Sequence, residues 1–109
     1  MRESQTAVLE RGAVLEDQLA TEPFEVAWAG EARWFIQFLD ADDAEVTVTV
    51  QVSPDGLAWA DHETGSRSTR AEGLITIPVA ELGHWLRLVV RRSGGTKPPL
   101  TRISLALKE

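Results

Sequence analysis

Cysteine is absent from this chain of 109 residues. Disulfide bonds, thiolate catalysis and zinc or iron sites that use cysteine are therefore excluded. The redox compartment stays open, because a chain without cysteine is stable in either environment. Tyrosine is absent as well, so the aromatic residues are three Phe and four Trp, and four Trp are many for a chain of this length.

The sequence also lacks a long apolar run. Charged residues interrupt positions 1–20, and no later segment approaches the roughly 20 apolar residues that a membrane-spanning helix needs. We therefore predict neither a signal peptide nor a membrane anchor. The expected location is cytoplasmic or particle-associated, as in a virion, with no membrane partner.

Basic residues are in the minority, with 11 Lys and Arg against 17 Asp and Glu and a formal net charge of -6. Such a field repels phosphate backbones, so we expect no nucleic acid partner. Cations do gather near the C-terminus, where they could form a basic strip or simply occupy the solvent-facing side of strands: Arg87, Arg91, Arg92, Lys97 and Arg102.

No set of residues for catalysis is recognisable. A serine nucleophile with a histidine base needs a structured elbow such as Gly-x-Ser-x-Gly, which is missing. The two histidines are expected on the surface, His62 in a loop and His84 at the start of a strand. No carboxylate pair stands out for glycoside hydrolysis. We therefore expect a protein that is not an enzyme and that carries no cofactor.

The composition is that of a folded protein, with 43% apolar and 26% charged residues. A chain of this length can bury one core without disulfides or a metal. We therefore predict one β-sandwich domain over residues 1–109, in which residues 1–22 could be an N-terminal arm or hairpin. Within that stretch, residues 6–19 fit two short strands that break at Gly12 slightly better than an irregular helix.

The clearest periodic signal lies in residues 44–53, where Val alternates with polar residues. A period of two built from β-branched residues predicts a half-buried strand. The strand ends at Ser53-Pro54-Asp55-Gly56, whose Pro and Gly are typical of a tight turn. We expect residues 57–60 to return as the antiparallel partner, which would place Trp59 beside the end of the hairpin.

Similar alternation is present in five other segments: residues 24–29, 33–39, 74–79, 84–92 and 100–107. Residues 33–39 are apolar on both sides, which indicates a central strand or one with a covered second face. Pro78 predicts that residues 74–79 form an edge strand or a strand end. Short strands with turn signals between them and no convincing helix predict an all-β fold, a single antiparallel β-sandwich or jelly roll of about eight strands.

Carboxylates are densest at Asp40, Asp42 and Asp43. Calcium takes several oxygen ligands from loops of this kind, so these three residues are weak calcium candidates. The stretch runs directly into the Val/Thr strand and lacks the glycine and glutamate positions of an EF-hand loop, and a solvated acidic turn is the alternative. We predict no metal site.

Three of the four tryptophans can be assigned, one to the core and two as binding candidates. Core packing explains Trp34 best, whereas Trp59 and Trp85 share their strands with polar neighbours. Aromatic rings on a sandwich can stack against sugars, and exposed Trp anchors protein interfaces. Burial is the favoured interpretation for both, and contact with a partner is the alternative. With the nearby cations, the candidate residues for binding a partner or a glycan are Trp59, Trp85, Arg87 and Arg91.

Two stretches carry a resemblance to known proteins. Residues 48–59 read Val-Thr-Val-Gln-Val-Ser-Pro-Asp-Gly-Leu-Ala-Trp, and a later stretch reads Gly83-His84-Trp85-Leu86-Arg87 before the glycines of residues 94–95. The Ser-x-Asp-Gly-x-x-Trp hairpin and the later strand resemble those of small β-sandwich structural proteins of tailed-phage virions and phage-derived particles. A weaker resemblance is to discoidin-like carbohydrate-binding sandwiches. The resemblance covers about residues 35–107.

The phage resemblance implies a structural component, such as a capsid decoration, tail or baseplate protein, that assembles as a symmetric oligomer. We therefore expect a non-enzymatic assembly module that docks on copies of itself or on a larger particle. The alternative is a carbohydrate-binding module that uses Trp59 or Trp85, with calcium assistance from Asp42 and Asp43. The expected partner is protein, and glycan is the second possibility.

Overall fold

Alternating side chains form strands along most of the chain. The computed structural model describes residues 3–40 and 43–109, and this part of the chain contains no helix. The strands are β1 (Ser4–Val14), β2 (Gln18–Ala20), β3 (Phe24–Glu25), β4 (Glu31–Phe38), β5 (Glu45–Ser53), β6 (Ala60–Arg70), β7 (Gly73–Ala80), β8 (Trp85–Ser93) and β9 (Leu100–Lys108). The all-β prediction is confirmed.

Two antiparallel sheets share one core. The four-stranded sheet has the order β1-β9-β4-β7, and the five-stranded sheet has the order β2-β8-β5-β6, with β3 also paired to β8. The predicted β-sandwich is thus confirmed, with nine strands in the described residues. β1 is one long strand that pairs with β9 through two irregularities, and β2 lies in the other sheet.

The core is built from the inward-facing residues of both sheets. Trp34 on β4 is fully buried, which confirms its predicted place in the core, and its indole Nε1 has no hydrogen-bond partner among the described residues. Burying an aliphatic or aromatic side chain contributes about 1.5–3 kcal/mol. Other fully buried side chains are Ile36, Leu86, Leu88, Val90, Ile103, Leu105 and Leu107.

β4 occupies the predicted central position, between β9 and β7. On the outer face Phe35 is half-buried, and Leu39, just after the strand, is 40% exposed. The apolar residues on this side therefore contribute to an outer sheet face that lies open in this structure.

β5 agrees with the alternation of valines, but its partner begins later than expected. Val52 pairs with Ala60, so Trp59 comes just before β6. The part of β6 after Ala60 was not predicted, because its sequence has no apolar side: it is a polar edge strand. The expected strand at residues 24–29 is reduced to Phe24–Glu25, and the chain then turns, with Ala29 N–H donating to Val26 O at 3.0 Å.

His62 lies inside β6 and is buried, so its expected place in a surface loop is wrong. Its Nδ1 accepts a hydrogen bond from Thr64 N–H at 2.9 Å. Its Nε2 then carries the proton and donates to Ala80 O at 2.7 Å. The imidazole thus links an edge strand of one sheet to an edge strand of the other.

β7 is an edge strand, as Pro78 predicted. Three side chains of β6 donate hydrogen bonds to alternate carbonyls on its outer side, which satisfies acceptors that strand pairing leaves open. The donors and acceptors are His62 with Ala80 O (2.7 Å), Thr64 with Pro78 O (3.3 Å) and Arg67 with Thr76 O (3.1 Å).

Candidate docking surface

The turn after β5 is held by its own side chains. Ser53 Oγ accepts hydrogen bonds from the N–H groups of Asp55 (3.2 Å) and Gly56 (2.8 Å). Asp55 Oδ1 accepts from Ala58 N–H (3.0 Å) and Leu57 N–H (2.8 Å), and these bonds hold the pKa of the Asp55 carboxyl below its ordinary value. The Ser-x-Asp-Gly motif is therefore a self-contained turn that projects the residues after it.

Trp59 follows this turn and stacks with an arginine of β8. The Arg87 guanidinium carbon lies 4.3 Å from the centroid of the Trp59 ring, a cation–π contact. Arg87 Nε donates to Gln51 Oε1 at 2.7 Å, and Gln51 Nε2 donates to Asp61 Oδ1 at 2.9 Å. The chain of hydrogen bonds fixes the guanidinium over the ring. Leu57, in the same turn, is 85% exposed.

An open cleft of about 450 Å³ lies beside Trp59. The Ser53 hydroxyl in its wall is engaged within the turn, and His84 is the other polar side chain of the lining. Because most of the lining is carbon, the cleft suits an apolar side chain. Its lining includes Val52, Pro54, Ala58, Trp59, Gly83 and His84. We call Leu57, Trp59, Arg87 and this cleft the Trp59–Arg87 surface.

The other two candidates have different positions. Trp85 is half-buried against the turn: a Cβ built on Gly56, at φ 80°, would lie 3.5 Å from its ring. Arg91 is exposed farther along β8, where its Nε donates to Gln18 Oε1 at 3.0 Å. The structure thus groups Trp59 with Arg87, places Trp85 behind the turn, and leaves Arg91 apart.

Of the two possibilities for the C-terminal cations, the structure favours solvent-facing positions on strands over one basic strip. Arg87 and Arg91 lie on the outer face of the five-stranded sheet, while Arg102 is exposed on the four-stranded sheet. Arg92 is the next residue after Arg91, so its side chain lies on the opposite face of β8. It is half-buried, and its Nη1 has no hydrogen-bond partner among the described residues. The sandwich separates residues that are neighbours in sequence.

The acidic stretch holds the loop before β9. Asp40 Oδ1 accepts from Leu100 N–H at 2.8 Å and Asp40 Oδ2 lies 3.0 Å from Lys97 Nζ, and both contacts hold the Asp40 pKa below its ordinary value. Asp43 Oδ1 accepts from Thr96 N–H at 2.9 Å. Asp42 lies outside the described residues. Within residues 3–40 and 43–109, no group of three or more His, Asp or Glu side chains could hold a metal.

A wider depression of about 760 Å³ lies over the outer face of the four-stranded sheet. Phe35 contributes to its floor, and charges of both signs, Glu31, Arg33 and Glu63, line it. It is separate from the Trp59 cleft and contains none of the sequence candidates. In the part of the chain that the structure describes, no helix is long and apolar enough to cross a membrane.

No family model matches the sequence, and no curated protein matches it. Solved structures do share the fold. PBSX exported protein XepA superposes with a TM-score of 0.71 at 13% identity, over 94% of this chain and 36% of XepA. SPBc2 prophage-derived protein YomS superposes with a TM-score of 0.61 at 11% identity, over 100% of this chain and 96% of YomS.

At these identities the similarity concerns the fold. The chain spans 36% of the length of XepA and nearly the whole of YomS. The predicted resemblance to phage-derived proteins therefore holds at the level of the β-sandwich, and the Ser-x-Asp-Gly-x-x-Trp motif has its own explanation in the turn geometry.

Proposed function

We propose that this domain is a non-enzymatic structural module of a phage-like particle, which docks on a larger assembly through the Trp59–Arg87 surface. The observation that carries the proposal is the Arg87 guanidinium fixed 4.3 Å over Trp59, beside an open apolar cleft. Trp and Arg dominate the binding energy of protein interfaces, especially where they are preorganised beside a pocket. The prophage origin of YomS, which has the same fold, supports a phage-derived context.

The chemistry of the surface favours a protein side chain as its occupant. The cleft accepts an apolar side chain, and the exposed Leu57, the residue before Ala58 of its lining, adds apolar contact area. Among the described residues, the terminal nitrogens of Arg87 have no hydrogen-bond acceptor, so they are available to a carbonyl or carboxylate of the partner. The cleft would thus hold an apolar side chain of the partner, and Arg87 would hydrogen-bond to a neighbouring polar group of the same partner.

The test is co-expression with the genes that flank its own gene, followed by pelleting of the assemblies. We expect the wild-type domain to pellet with a particle. Trp59→Ala and Arg87→Ala should each lower the bound fraction, with affinity losses of about 10-fold or more. Arg33→Ala, an exposed arginine on the other sheet, is the matched control and should bind as the wild type does. Equal pelleting of all variants, or no pelleting of the wild type, would refute the proposal.

The carbohydrate-binding alternative is separated by a glycan array. Sugars need several free polar groups around the stacking ring, whereas Arg87 covers part of Trp59 and the Ser53 and Asp55 oxygens are engaged in the turn. We expect no specific glycan signal. Specific binding that is lost in Trp59→Ala or Trp85→Ala would favour the carbohydrate alternative over the docking proposal.

A further inference from the structure

The edges of the two sheets differ in how they are protected against pairing with another strand. Side chains of β6 cap the carbonyls of β7. β2 and β3 have three residues and two residues, and β6 carries charges and an irregular pairing near Gly65. Short strands, charges and irregularities are devices that prevent edge pairing. Among the described residues, β1 is also a long edge strand, and its first part has no charge, no irregular pairing and no capping side chain.

The backbone direction of β1 follows from its pairing with β9. Glu109 N–H donates to Glu3 O at 2.9 Å, so Glu3 faces β9. Because backbone groups alternate along an antiparallel strand, Gln5 and Ala7 also face β9, and Ser4, Thr6 and Val8 face away from it. No hydrogen bond to the backbone groups of Ser4, Thr6 or Val8 is present on that outer side among the described residues. The edge offers paired donors and acceptors with the spacing of a strand.

The free part of this edge has defined limits. Residues 4–9 are uncharged, and no proline interrupts them. The register with β9 shifts between Val8 and Glu10, which ends the regular part of the strand, and Glu10 and Arg11 follow. Val8, at 47% exposure, leaves an apolar side chain at the open edge. A strand added to this edge would therefore pair with residues 4–8.

We infer that residues 4–8 pair antiparallel with the same residues of a second copy, about a two-fold axis at Thr6. This register uses every outward backbone group of the segment: Thr6 pairs with Thr6 of the second copy, and Ser4 pairs with Val8 of the second copy. An uncharged segment brings no like charges together when it pairs with itself, and two Thr make a favourable cross-strand pair. The result is one continuous sheet across two molecules.

This pairing deepens the proposed function, because it supplies the symmetric contact through which a docking module would self-associate. It uses an edge of the four-stranded sheet, whereas the Trp59–Arg87 surface belongs to the five-stranded sheet and the turn after β5. The two contacts can therefore be changed separately, and the loss of one leaves the other measurable.

The chain contains no cysteine, so one introduced thiol reports on one contact. At the proposed axis the two Cα atoms of Thr6→Cys would be about 5.5 Å apart, within disulfide reach. In Ser4→Cys they would be offset by roughly 13 Å along the strands, beyond reach. Mild oxidation should crosslink Thr6→Cys and not Ser4→Cys, while a mixture of Ser4→Cys with Val8→Cys should give the mixed dimer.

A proline variant tests the same edge without oxidation. Thr6→Pro removes an N–H that faces away from β9, and edge strands tolerate proline at such positions. We expect its dimer association constant in sedimentation velocity to fall about 10-fold or more, with an unchanged far-UV circular dichroism spectrum. Equal crosslinking of Thr6→Cys and Ser4→Cys, or association unaffected by Thr6→Pro, would overturn the inference. Failure of the particle-pelleting test alone would leave these results unaffected and would count against the docking proposal.

Discussion

At the scale of single residues, short polar side chains determine where the chain can turn and what it exposes. Ser53 and Asp55 together satisfy four backbone N–H groups of the turn after β5. With those groups satisfied inside the turn, Leu57 can be exposed and Trp59 left half-buried without a cost in unpaired backbone. The positions of these two residues thus depend on two side chains whose oxygens are engaged within the turn.

Gly56 should be the least replaceable residue of the turn. Its φ of 80° is strained for any residue with a Cβ, and that Cβ would approach the Trp85 ring at 3.5 Å. We expect Gly56→Ala to lower the free energy of unfolding by about 1–2 kcal/mol in urea titration. Gly12→Ala is the control, because its Cβ would meet only the Leu100 side chain at 3.9 Å, and it should change stability by less than about 0.5 kcal/mol.

His62 should contribute to stability through the hydrogen bonds at both of its ring nitrogens. His62→Ala removes the hydrogen-bond partner of Thr64 N–H and that of Ala80 O. We expect this to lower the free energy of unfolding by about 1–3 kcal/mol. The exposed His84 serves as the comparison, and His84→Ala should stay within about 0.5 kcal/mol of the wild type. Equal effects of the two substitutions in urea titration would contradict the linking role of His62.

Asp40 and Asp55 should make stability fall in acid. Both carboxyls have a lowered pKa in the folded state, Asp40 mainly through Leu100 N–H and Asp55 mainly through Ala58 N–H. A lowered folded pKa stabilises the fold above the unfolded pKa, about 4, and this stabilisation is lost as the pH falls through the folded values. Urea midpoints measured from pH 7 downward should show a smaller acid loss in an Asp40→Asn, Asp55→Asn double variant. An unchanged acid loss would contradict this account.

At the scale of strands, sequence alternation predicts those elements that bury one face. β5, β8 and β9 follow from their alternating Val, Leu and Ile, and Pro78 predicts the edge position of β7. β6 could not be predicted in this way, because a polar edge strand gains its hydrogen bonds from β5 and carries no apolar period. An alternation of apolar and polar residues marks a strand that buries one face, and β6 buries few of its side chains.

The candidate surface was predicted in part for the same reason. Trp59 and Arg87 could be selected from residue type and strand position, since interfaces favour both residues. Their stacking, and the fixing role of Gln51, depend on which positions of β5 and β8 lie opposite each other. Gln51 could have been identified from the sequence as a residue of the outer sheet face, because it alternates with the buried valines of β5 and successive side chains of a strand point to opposite faces.

The capping of β7 should protect the protein from edge association. In a Thr6→Pro background, the double variant Thr64→Val, Arg67→Ala exposes the carbonyls of Pro78 and Thr76, and we expect new concentration-dependent association in sedimentation velocity. Ser68→Ala in the same background is the control, because Ser68 bonds Thr47 within its own sheet. If both variants sediment alike, the capping bonds do not protect this edge.

At the scale of the whole molecule, the chain closes on itself. β1 and β9, the first and last strands, pair side by side, and β9 continues the sheet to β4. Residues of both sheets meet in one buried cluster. The layers therefore depend on each other, and we expect them to unfold together.

Leu105 tests this single core. Leu105→Ala should lower the free energy of unfolding by about 2–5 kcal/mol, whereas Leu57→Ala, at an 85% exposed residue, should change it by less than about 0.5 kcal/mol. For wild type and variants, urea transitions followed by tryptophan fluorescence and by far-UV circular dichroism should coincide. Separate transitions would mean that the two sheets are not one cooperative unit.

The pairing of the first and last strands also has a practical consequence. Ser4 lies opposite Lys108, and Lys108 lies beside Glu31, which pairs with Ala80 just before the loop that lines the Trp59 cleft. The start of β1 and the end of β9 thus lie at the end of the sandwich that carries the Trp59 cleft, which we call the cleft pole. A fluorescent reporter fused after β9 would crowd that pole, whereas one inserted between Gly94 and Gly95 would project from the opposite pole and leave the cleft accessible for imaging assembly.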